Sequence, residues 1–416
     1  MVPSIWLKEK LQRTITSIAF LPAIIALSFL VFSWITLELD FSELGKSIKA
    51  QWQWLRLKDA STARNIIATV ASGIISLTVF SFSMVMIVLN QAASQLSNRV
   101  LDKLIGNRFQ QVVLGFYIGT IVYALFLLST IRDVDQGIQV PALSTYFLIF
   151  LTISDIFLFI YFLHYITQSV KYENIINQIH KQTKAALVKE CINKTISVVT
   201  NPVTAGYKIT APKSGVYQGF EKRTLLEICD KENLVVAFVF SSGTYVLKGT
   251  PLLIISNSSS VISSEVEEKI IQTLIIQAGE VIPENSYYGF RQLMEVAIKA
   301  LSPGINDPGT AILSLNALAD LLAYRMENLP DSRIRNTTGL VRIYLKERTF
   351  EEIFFSCILP IWDYGKEDHS IQQSLYGILL QLQTESSSPI LLELLEAVQA
   401  VRNSTRNSFK ASNPVL

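Results

Sequence analysis

The chain has 416 residues, of which half are hydrophobic and 17% are charged, and this length allows two or three domains. Its formal net charge of +2 is close to neutral and does not indicate a nucleic-acid-binding surface. The three cysteines lie far apart and outside any C-x-x-C pair, which is typical of reduced thiols and not of a disulfide framework. Because only three histidines are present, we do not expect a metal site built from histidine. No cofactor is predicted.

Residues 1–168 predict a transmembrane domain of four helices. Apolar runs cover about residues 14–37, 66–90, 112–131 and 142–167, and a membrane span needs about 20 helical residues. The first run has no small-residue cleavage site after it, so we interpret it as a retained span and not as a signal peptide. The chain is therefore predicted to be a multi-pass protein in contact with the lipid bilayer.

The distribution of lysine and arginine predicts the orientation of these spans. Basic residues precede the first span, lie between the second and third, and follow the fourth, whereas the loop after the third span has only Arg132 beside two aspartates. Short cytoplasmic loops are rich in lysine and arginine, so both termini are predicted to be cytoplasmic. The loop after the first span also carries five basic residues, but its stretch Q-W-Q-W-L-R-L is typical of a segment that lies at the membrane interface.

One face of the second span is small and polar. Counting 100° per residue from Ser76, small and polar side chains recur along nearly the whole helix, and large apolar side chains interrupt them. This pattern predicts a pore lining in which hydroxyl groups face a water-filled path and apolar side chains constrict it. The candidate pore-lining residues are Ser72, Ser76, Phe80, Ser83, Ile87 and Asn90. Small residues are also typical of close packing between membrane helices, so that interpretation stays open.

The third and fourth spans each carry one unusual feature. The third contains Gly115-F-Y-I-Gly119, a G-x-x-x-G spacing that lets two helix backbones approach closely. The fourth carries Asp155 near its centre, where a charge costs at least ~2.5–3.5 kcal/mol and should therefore face protein or water. Two interpretations of this carboxyl group stay open: it forms an ion or proton site, or it is protonated and bonded to a neighbouring hydroxyl such as that of Ser72, Ser76 or Thr120.

Beyond the fourth span, the sequence predicts an α+β cytoplasmic region. Isoleucines at helical spacing predict that the fourth span continues into the cytoplasm as one helix over residues 169–194. Residues 195–256 read as a small β domain of short strands separated by turn residues. Two of its segments, I-T-A-P-K-S-G-V-Y and S-S-G-T-Y-V-L-K-G-T-P-L-L-I-I, look like the halves of a barrel-sandwich hybrid. The segment between them reads as a helix, which argues against the exposed lysine hairpin of a swinging-arm carrier.

A helical cytoplasmic domain is predicted over residues 257–401. A serine-rich linker leads into helices at about 265–279, 288–301 and 307–328, and further helices follow to about residue 401. Residues 402–416 lack periodicity and are predicted to form a disordered tail.

The stretch S-P-G-I-N-D-P-G-T-A joins two of these helices. Ser302-Pro303-Gly304 ends the first helix, because the residue before a proline avoids the helical conformation. Asp307 and Pro308 begin the second, as a capping side chain and a first residue that needs no N–H donor. Asn306 has no assigned role in this turn. It is either a ligand, ion or subunit contact, or part of a rigid elbow.

The same stretch resembles the signature of a bacterial family of predicted membrane proteins, domain of unknown function 2254. The resemblance extends over about residues 10–400 and includes the segments F-S-F-S-M-V-M-I-V-L-N-Q-A-A-S-Q-L-S-N-R-V-L, F-Q-Q-V-V-L-G-F-Y-I-G-T-I-V-Y, I-Y-F-L-H-Y-I and Y-G-F-R-Q-L-M-E-V-A-I-K-A-L. The chain departs from the family pattern at Asn98, where proline is usual, and at Gly309, where a bulky residue is usual. Membership implies a multi-span inner-membrane protein with a cytoplasmic domain, and it implies no activity.

These features favour a homo-oligomeric, ion-conducting channel with a cytoplasmic regulatory domain, whose partners are lipid, further copies of the chain and an inorganic ion. The alternative is a non-conducting sensor or scaffold that binds a ligand or partner through its cytoplasmic domain. An enzyme is disfavoured, because the sequence carries no nucleophile elbow, phosphate loop, H-E-x-x-H or paired-cysteine motif.

Overall fold

The computed structural model describes residues 19–51, 59–95, 108–131, 141–191, 205–256, 262–277, 282–385 and 389–412. Two compact units, Met1–Lys171 and Tyr172–Leu416, make up the chain. We call them the N-terminal unit and the C-terminal unit.

The N-terminal unit is helical throughout its described residues. Its helices are α1 (Phe20–Phe41), α2 (Glu43–Gln51), α3 (Ala60–Gln95), α4 (Arg108–Thr130) and α5 (Ala142–Ser169). All but α2 are long and apolar enough to cross a membrane, with a mean hydropathy of 2.2 each. The four long apolar helices that the sequence predicts are thus present among the described residues, and the predicted residues 14–18 lie outside them.

The second span starts earlier than its apolar run suggests. Helix α3 begins at Ala60, where the carboxylate of Asp59 accepts hydrogen bonds from the backbone N–H groups of Ser61 and Thr62, each at 3.1 Å. Such a side chain satisfies N–H groups that have no partner inside the helix. The cap therefore extends α3 well beyond its apolar part.

The G-x-x-x-G of the third span lies where α4 meets α1. A Cβ atom built on Gly115 would come within 2.7 Å of the Ile25 side chain, and one built on Gly119 within 2.7 Å of the Phe29 ring. Only glycine allows this approach, so the predicted close contact of two backbones is present within a single chain.

The C-terminal unit begins with α6 (Tyr172–Glu190) and contains two β-sheets. A five-stranded sheet has the order β1 (Tyr207–Thr210), β5 (Pro251–Ser256), β3 (Val235–Phe238), β8 (Val341–Tyr344) and β7 (Arg333–Arg335). A three-stranded sheet has the order β4 (Thr244–Val246), β2 (Gly215–Phe220) and β6 (Leu274–Ile276). The pair β3–β8 is parallel and the other pairs are antiparallel.

Seven further helices follow α6 among the described residues of this unit. They are α7 (Lys222–Lys231), α8 (Ser264–Thr273), α9 (Tyr287–Leu301), α10 (Pro308–Glu327), α11 (Phe350–Gly365), α12 (His369–Glu385) and α13 (Pro389–Ser412), with a 3₁₀ turn at Ile282–Glu284. Leu225 of α7 and Ile270 of α8 are buried in one apolar core with Val236, Leu253 and Ile343 of the five-stranded sheet. The region is thus mixed α/β followed by helices, and the resemblance to a barrel-sandwich hybrid stays a prediction.

The fourth span does not continue as one helix, contrary to the prediction. Helix α5 ends at Ser169, and α6 begins at Tyr172. In the last turn of α5, the hydroxyl of Ser169 donates to the carbonyl oxygen of Tyr165 at 2.8 Å, and that of Thr167 donates to Leu163 at 3.0 Å.

Two further boundaries differ from the prediction. The β region is not confined to residues 195–256, because β6, β7 and β8 come from the stretch predicted to be helical. The β-branched and aromatic residues of L-I-I and V-R-I-Y favour strands once neighbouring strands are available to pair with them. The predicted disordered tail is helical as far as Ser412, because α13 buries Leu391, Leu394 and Val398 and meets no glycine or proline after Pro389.

Candidate functional site

The small and polar side of α3 is exposed on the surface of the N-terminal unit. All six candidate pore-lining residues lie on this side: Ser72, Ser76, Phe80, Ser83, Ile87 and Asn90. The opposite side of α3 supplies the buried residues Ala63, Ile67, Ala71 and Ile74. We call the exposed side the polar face of α3. Within the part of the chain that the structure describes, its small side chains are not buried against other helices.

The hydroxyl groups of this face donate hydrogen bonds to their own helix. Ser76 Oγ donates to the carbonyl oxygen of Ser72 at 3.0 Å, and Ser83 Oγ donates to that of Val79 at 2.9 Å. A Cβ atom built on Gly73 would meet nothing within 4 Å. The hydroxyl protons are thus satisfied, while the oxygen lone pairs face outwards from the bundle.

Asp155 lies inside the bundle, with 1% of its surface exposed. Thr120 of α4 is close enough to interact with this carboxyl group, but neither Asp155 Oδ2 nor Thr120 Oγ1 has a hydrogen-bond partner among the described protein groups. Tyr117, one turn before Thr120, is near both Asp155 and Ser81 of α3. The hydroxyl groups of Tyr117 and Ser81 are also buried without a partner.

We call these four residues the buried oxygen cluster; it joins side chains from α3, α4 and α5. Sequence reasoning found Asp155 and named Thr120 among three hydroxyl groups that could face it. Ser72 and Ser76, the other two, lie on the exposed side of α3. Ser81 and Tyr117 were missed, because their relevance depends on how each helix is rotated in the bundle.

A cavity of about 250 Å³ lies between α3 and α4 beside this cluster. Ser81 and Tyr117 line it, together with Gln110 and Gln111 near the beginning of α4. Most of its remaining lining is apolar, including Phe82, Met86 and Phe162. A water molecule occupies about 30 Å³ of liquid volume, so the space is large enough for several water molecules or a hydrated ion.

The elbow between α9 and α10 is held by its own hydrogen bonds. Ser302 Oγ donates to the carbonyl oxygen of Lys299 at 2.7 Å, and Asp307 accepts from the backbone N–H and the hydroxyl of Thr310 at 3.1 and 2.6 Å. Asn306 has a φ angle of 50°, a left-handed conformation that asparagine tolerates better than most residues. This conformation gives Asn306 a structural role that the sequence pattern leaves open. Pro303, Gly304 and Asn306 are exposed, and Pro308 is the first residue of α10.

A comparison against protein families gives a match that covers most of the chain. The family described as "Predicted membrane protein (DUF2254)" matches residues 15–381. The chain belongs to this family. Uncharacterized proteins of Mycobacterium bovis and Mycobacterium tuberculosis are each 24% identical to it over 329 residues, which is 76% of this DUF2254 chain and 63% of each relative. It thus aligns with less than two thirds of their length. No solved structure matches the chain.

Asp40 is a buried residue whose position the sequence did not predict. It lies near the end of α1 with no exposed surface, and its carboxylate accepts from Lys49 Nζ at 2.7 Å and from the backbone N–H of Ser144 at 2.8 Å. Ser144 is in the first turn of α5, where the helix dipole favours a negative charge. Pro141, the residue before α5, has no side chain that can cap the helix. This missing cap is the signal that points to a carboxylate supplied from elsewhere.

A second set of charged residues lies in the C-terminal unit, where Arg325 is buried and Glu190, Glu347 and Arg348 are half-buried. Glu190, the last residue of α6, accepts from the backbone N–H of Ser286 at 2.8 Å and from its hydroxyl at 2.5 Å. Arg325 of α10 is 4% exposed and donates to the carbonyl oxygen of Arg348 at 2.8 Å. Loss of water contact, together with the nearby charge of Glu190, raises the pKa of Glu347 to about 7.

Burial also raises the pKa of Glu190 and lowers that of Arg325. Glu190, Arg325, Glu347 and Arg348 come from three distant parts of the chain, so no sequence motif unites them. We call them the charged cluster of the C-terminal unit. Its arrangement suits a group that changes protonation near neutral pH.

Proposed function

We propose that this DUF2254 protein is an ion-conducting channel of the bacterial inner membrane, with both termini cytoplasmic. Several copies of the chain surround an axis, the polar face of α3 lines the path, and the C-terminal unit regulates conduction. The observation that carries the proposal is the exposure of this face on a membrane-spanning helix. A face used only to pack one chain would be buried by its own neighbours.

The dimensions of the polar face support this function. Ser72 and Asn90 are 18 residues apart, which corresponds to ~27 Å along an α-helix, and the hydrocarbon core is about 30 Å thick. Phe80 and Ile87 interrupt the face with side chains that are 54% and 63% exposed. Rings of such side chains around an axis form the apolar constrictions that gate a pore by excluding water.

Cysteine labelling of the full chain in liposomes tests whether the face meets water. Cysteines introduced as Ser76→Cys and Ser83→Cys are expected to react with a charged thiol reagent. A matched control is Phe157→Cys, because Phe157 of α5 is 68% exposed on a spanning helix but lies outside the polar face. We expect no reaction at Phe157→Cys, which would face lipid.

The native cysteines do not interfere with this measurement. Cys191, Cys229 and Cys357 are buried, and burial raises their pKa values to about 11, about 12 and about 12. The thiolate is the reactive form, so these thiols react slowly at neutral pH. Protection of Ser76→Cys and Ser83→Cys in correctly inserted protein would contradict the proposal, as would a monomeric state of the purified protein.

The second candidate function is a non-conducting membrane sensor or scaffold. The charged cluster of the C-terminal unit favours it, because Glu347 titrates near physiological pH. If the protein is a sensor or scaffold, its binding of a partner or ligand changes with pH. The cysteines of Ser76→Cys and Ser83→Cys are then unreactive. The labelling experiment therefore separates the two functions.

A further inference from the structure

We propose that Ser81, Tyr117, Thr120 and Asp155, the buried oxygen cluster, bind one monovalent metal cation of the Na⁺ class inside each copy of the chain. This site lies within the bundle of a single chain, and the six candidate pore-lining residues lie on the opposite, exposed side of α3. The inference therefore does not depend on whether the protein conducts.

The buried oxygen cluster consists of atoms that can bind a cation. Asp155 Oδ2 and the three hydroxyl oxygens are all buried, all without a hydrogen-bond partner among the described protein groups, and contributed by three different helices. Buried polar atoms are nearly always paired, so each of these four needs an explanation. Oxygen atoms are the ligands that hard cations prefer.

The charge of the cluster matches that of one monovalent cation. The four side chains carry one ionisable carboxylate and three neutral hydroxyl groups, so one monovalent cation gives a neutral site. A calcium ion takes six to eight oxygen ligands, commonly from several carboxylates, and fits this set poorly. An unpaired carboxylate at this depth is costly, so a bound cation stabilises the folded bundle.

A metal cation engages more of the cluster than a proton on Asp155 does. The four side chains lie as two neighbouring pairs, Asp155 with Thr120 and Tyr117 with Ser81. A proton on Asp155 serves only the first pair. A cation accepts lone pairs from all four oxygens at once. The hydroxyl protons of Ser81 and Thr120 are then free to donate to carbonyl oxygens one turn earlier in their own helices, as other hydroxyl groups of these spans do.

The cavity beside the cluster provides a route for the ion. Ser81 and Tyr117 belong both to the cluster and to the cavity lining, and Gln110 and Gln111 line the same cavity nearer the beginning of α4.

The test is the thermal stability of the purified full chain in detergent over a series of NaCl concentrations. Choline chloride keeps the ionic strength constant, because choline is too large for the site. A ligand that binds the folded state alone raises the Tm as its concentration passes the Kd. We expect the Tm to rise with Na⁺ and to reach a plateau, and ²²Na⁺ to bind in a ratio of about one per chain with the same midpoint.

Three variants define the expected result. Asp155→Asn abolishes the Na⁺ dependence of the Tm, and Thr120→Val moves its midpoint to roughly tenfold higher Na⁺ or more. The matched control is Thr152→Val on α5, because its hydroxyl donates to the carbonyl oxygen of Leu148 at 2.8 Å and is not part of the cluster. The control leaves the midpoint unchanged. If Asp155→Asn does not fold, the contrast between Thr120→Val and Thr152→Val decides.

Other results of the Tm measurement also decide whether the cation site exists. A Tm that responds to pH but not to Na⁺, K⁺ or Li⁺ overturns the proposal in favour of a proton alone. The same rise in choline chloride, or an unchanged midpoint in both Asp155→Asn and Thr120→Val, shows a general salt effect and also overturns it. A plateau with K⁺ in place of Na⁺ supports the site and sets its selectivity. None of these results depends on conductance.

Discussion

Replacing Glu347 with glutamine tests the charged cluster of the C-terminal unit. The side chain lies near Glu190, Arg325 and Arg348, and its pKa is raised from 4.5 to about 7, mainly because the surrounding protein removes it from water. Between these two values the folded protein holds a proton that the unfolded chain has lost. The free energy of unfolding therefore falls as the pH rises from about 4.5 to about 7.

The size of this effect follows from the pKa difference. One pKa unit corresponds to about 1.4 kcal/mol, so the upper bound is about 3 kcal/mol. Glutamine resembles the protonated carboxyl group and does not titrate. The raised pKa already includes the attraction to Arg325 and Arg348, so we expect a net gain of up to about 3 kcal/mol at pH 8 and little difference near pH 4.5. For a domain of this size, each kcal/mol shifts the Tm by roughly 2–4 °C.

The assay is the Tm of the purified full chain in detergent, measured from about pH 5 to pH 8 for wild type and Glu347→Gln. The control is Glu396→Gln, since Glu396 is an exposed carboxylate on α13 and away from the cluster. We expect a flatter pH profile for Glu347→Gln alone. Identical falls in Tm with pH for wild type and Glu347→Gln would refute the reasoning.

Two further predictions concern close packing and a buried charge. A Cβ atom built on Gly289 lies only 1.7 Å from Thr183 Oγ1 of α6, whereas one built on Gly377 of α12 meets nothing within 4 Å. Gly289→Ala should therefore lower the free energy of unfolding by roughly 1–3 kcal/mol, and Gly377→Ala should raise it by roughly 0.5–1 kcal/mol. The Tm values of the two variants check this, and a higher Tm for Gly289→Ala than for Gly377→Ala would contradict the close contact at Gly289. Asp40→Ala removes the carboxylate that accepts from Lys49 Nζ and from the backbone N–H of Ser144 at the beginning of α5. We expect this loss to cost roughly 3–5 kcal/mol, measured as loss of monodisperse protein after extraction, and full wild-type recovery contradicts this role.

The membrane spans and the elbow were accessible from the sequence because their signals are local. A run of apolar residues reports a span wherever the chain places it. Asp307 followed by Pro308 indicates a helix start from neighbouring residues alone. The spacing of Gly115 and Gly119 likewise indicates a close contact, although it does not identify the partner helix.

The remaining features depend on contacts between distant parts of the chain. The oxygen atoms that surround Asp155 come from two other helices, and the rotation of each helix selects Ser81 and Tyr117 over Ser72 and Ser76. Strand β8 pairs with β3 about 100 residues earlier, so its short sequence does not reveal a strand by itself.

The central claim is that the polar face of α3 lines a conducting path. The most direct test is single-channel recording of the purified protein in a planar bilayer, comparing wild type with Ser76→Phe. The control is Ile153→Phe, because Ile153 of α5 is 48% exposed on a spanning helix outside the polar face. We predict discrete unitary currents that Ser76→Phe abolishes or reduces and Ile153→Phe preserves. Silence over a range of voltage and membrane tension from folded, inserted protein, or currents that Ser76→Phe leaves unchanged, would contradict the claim.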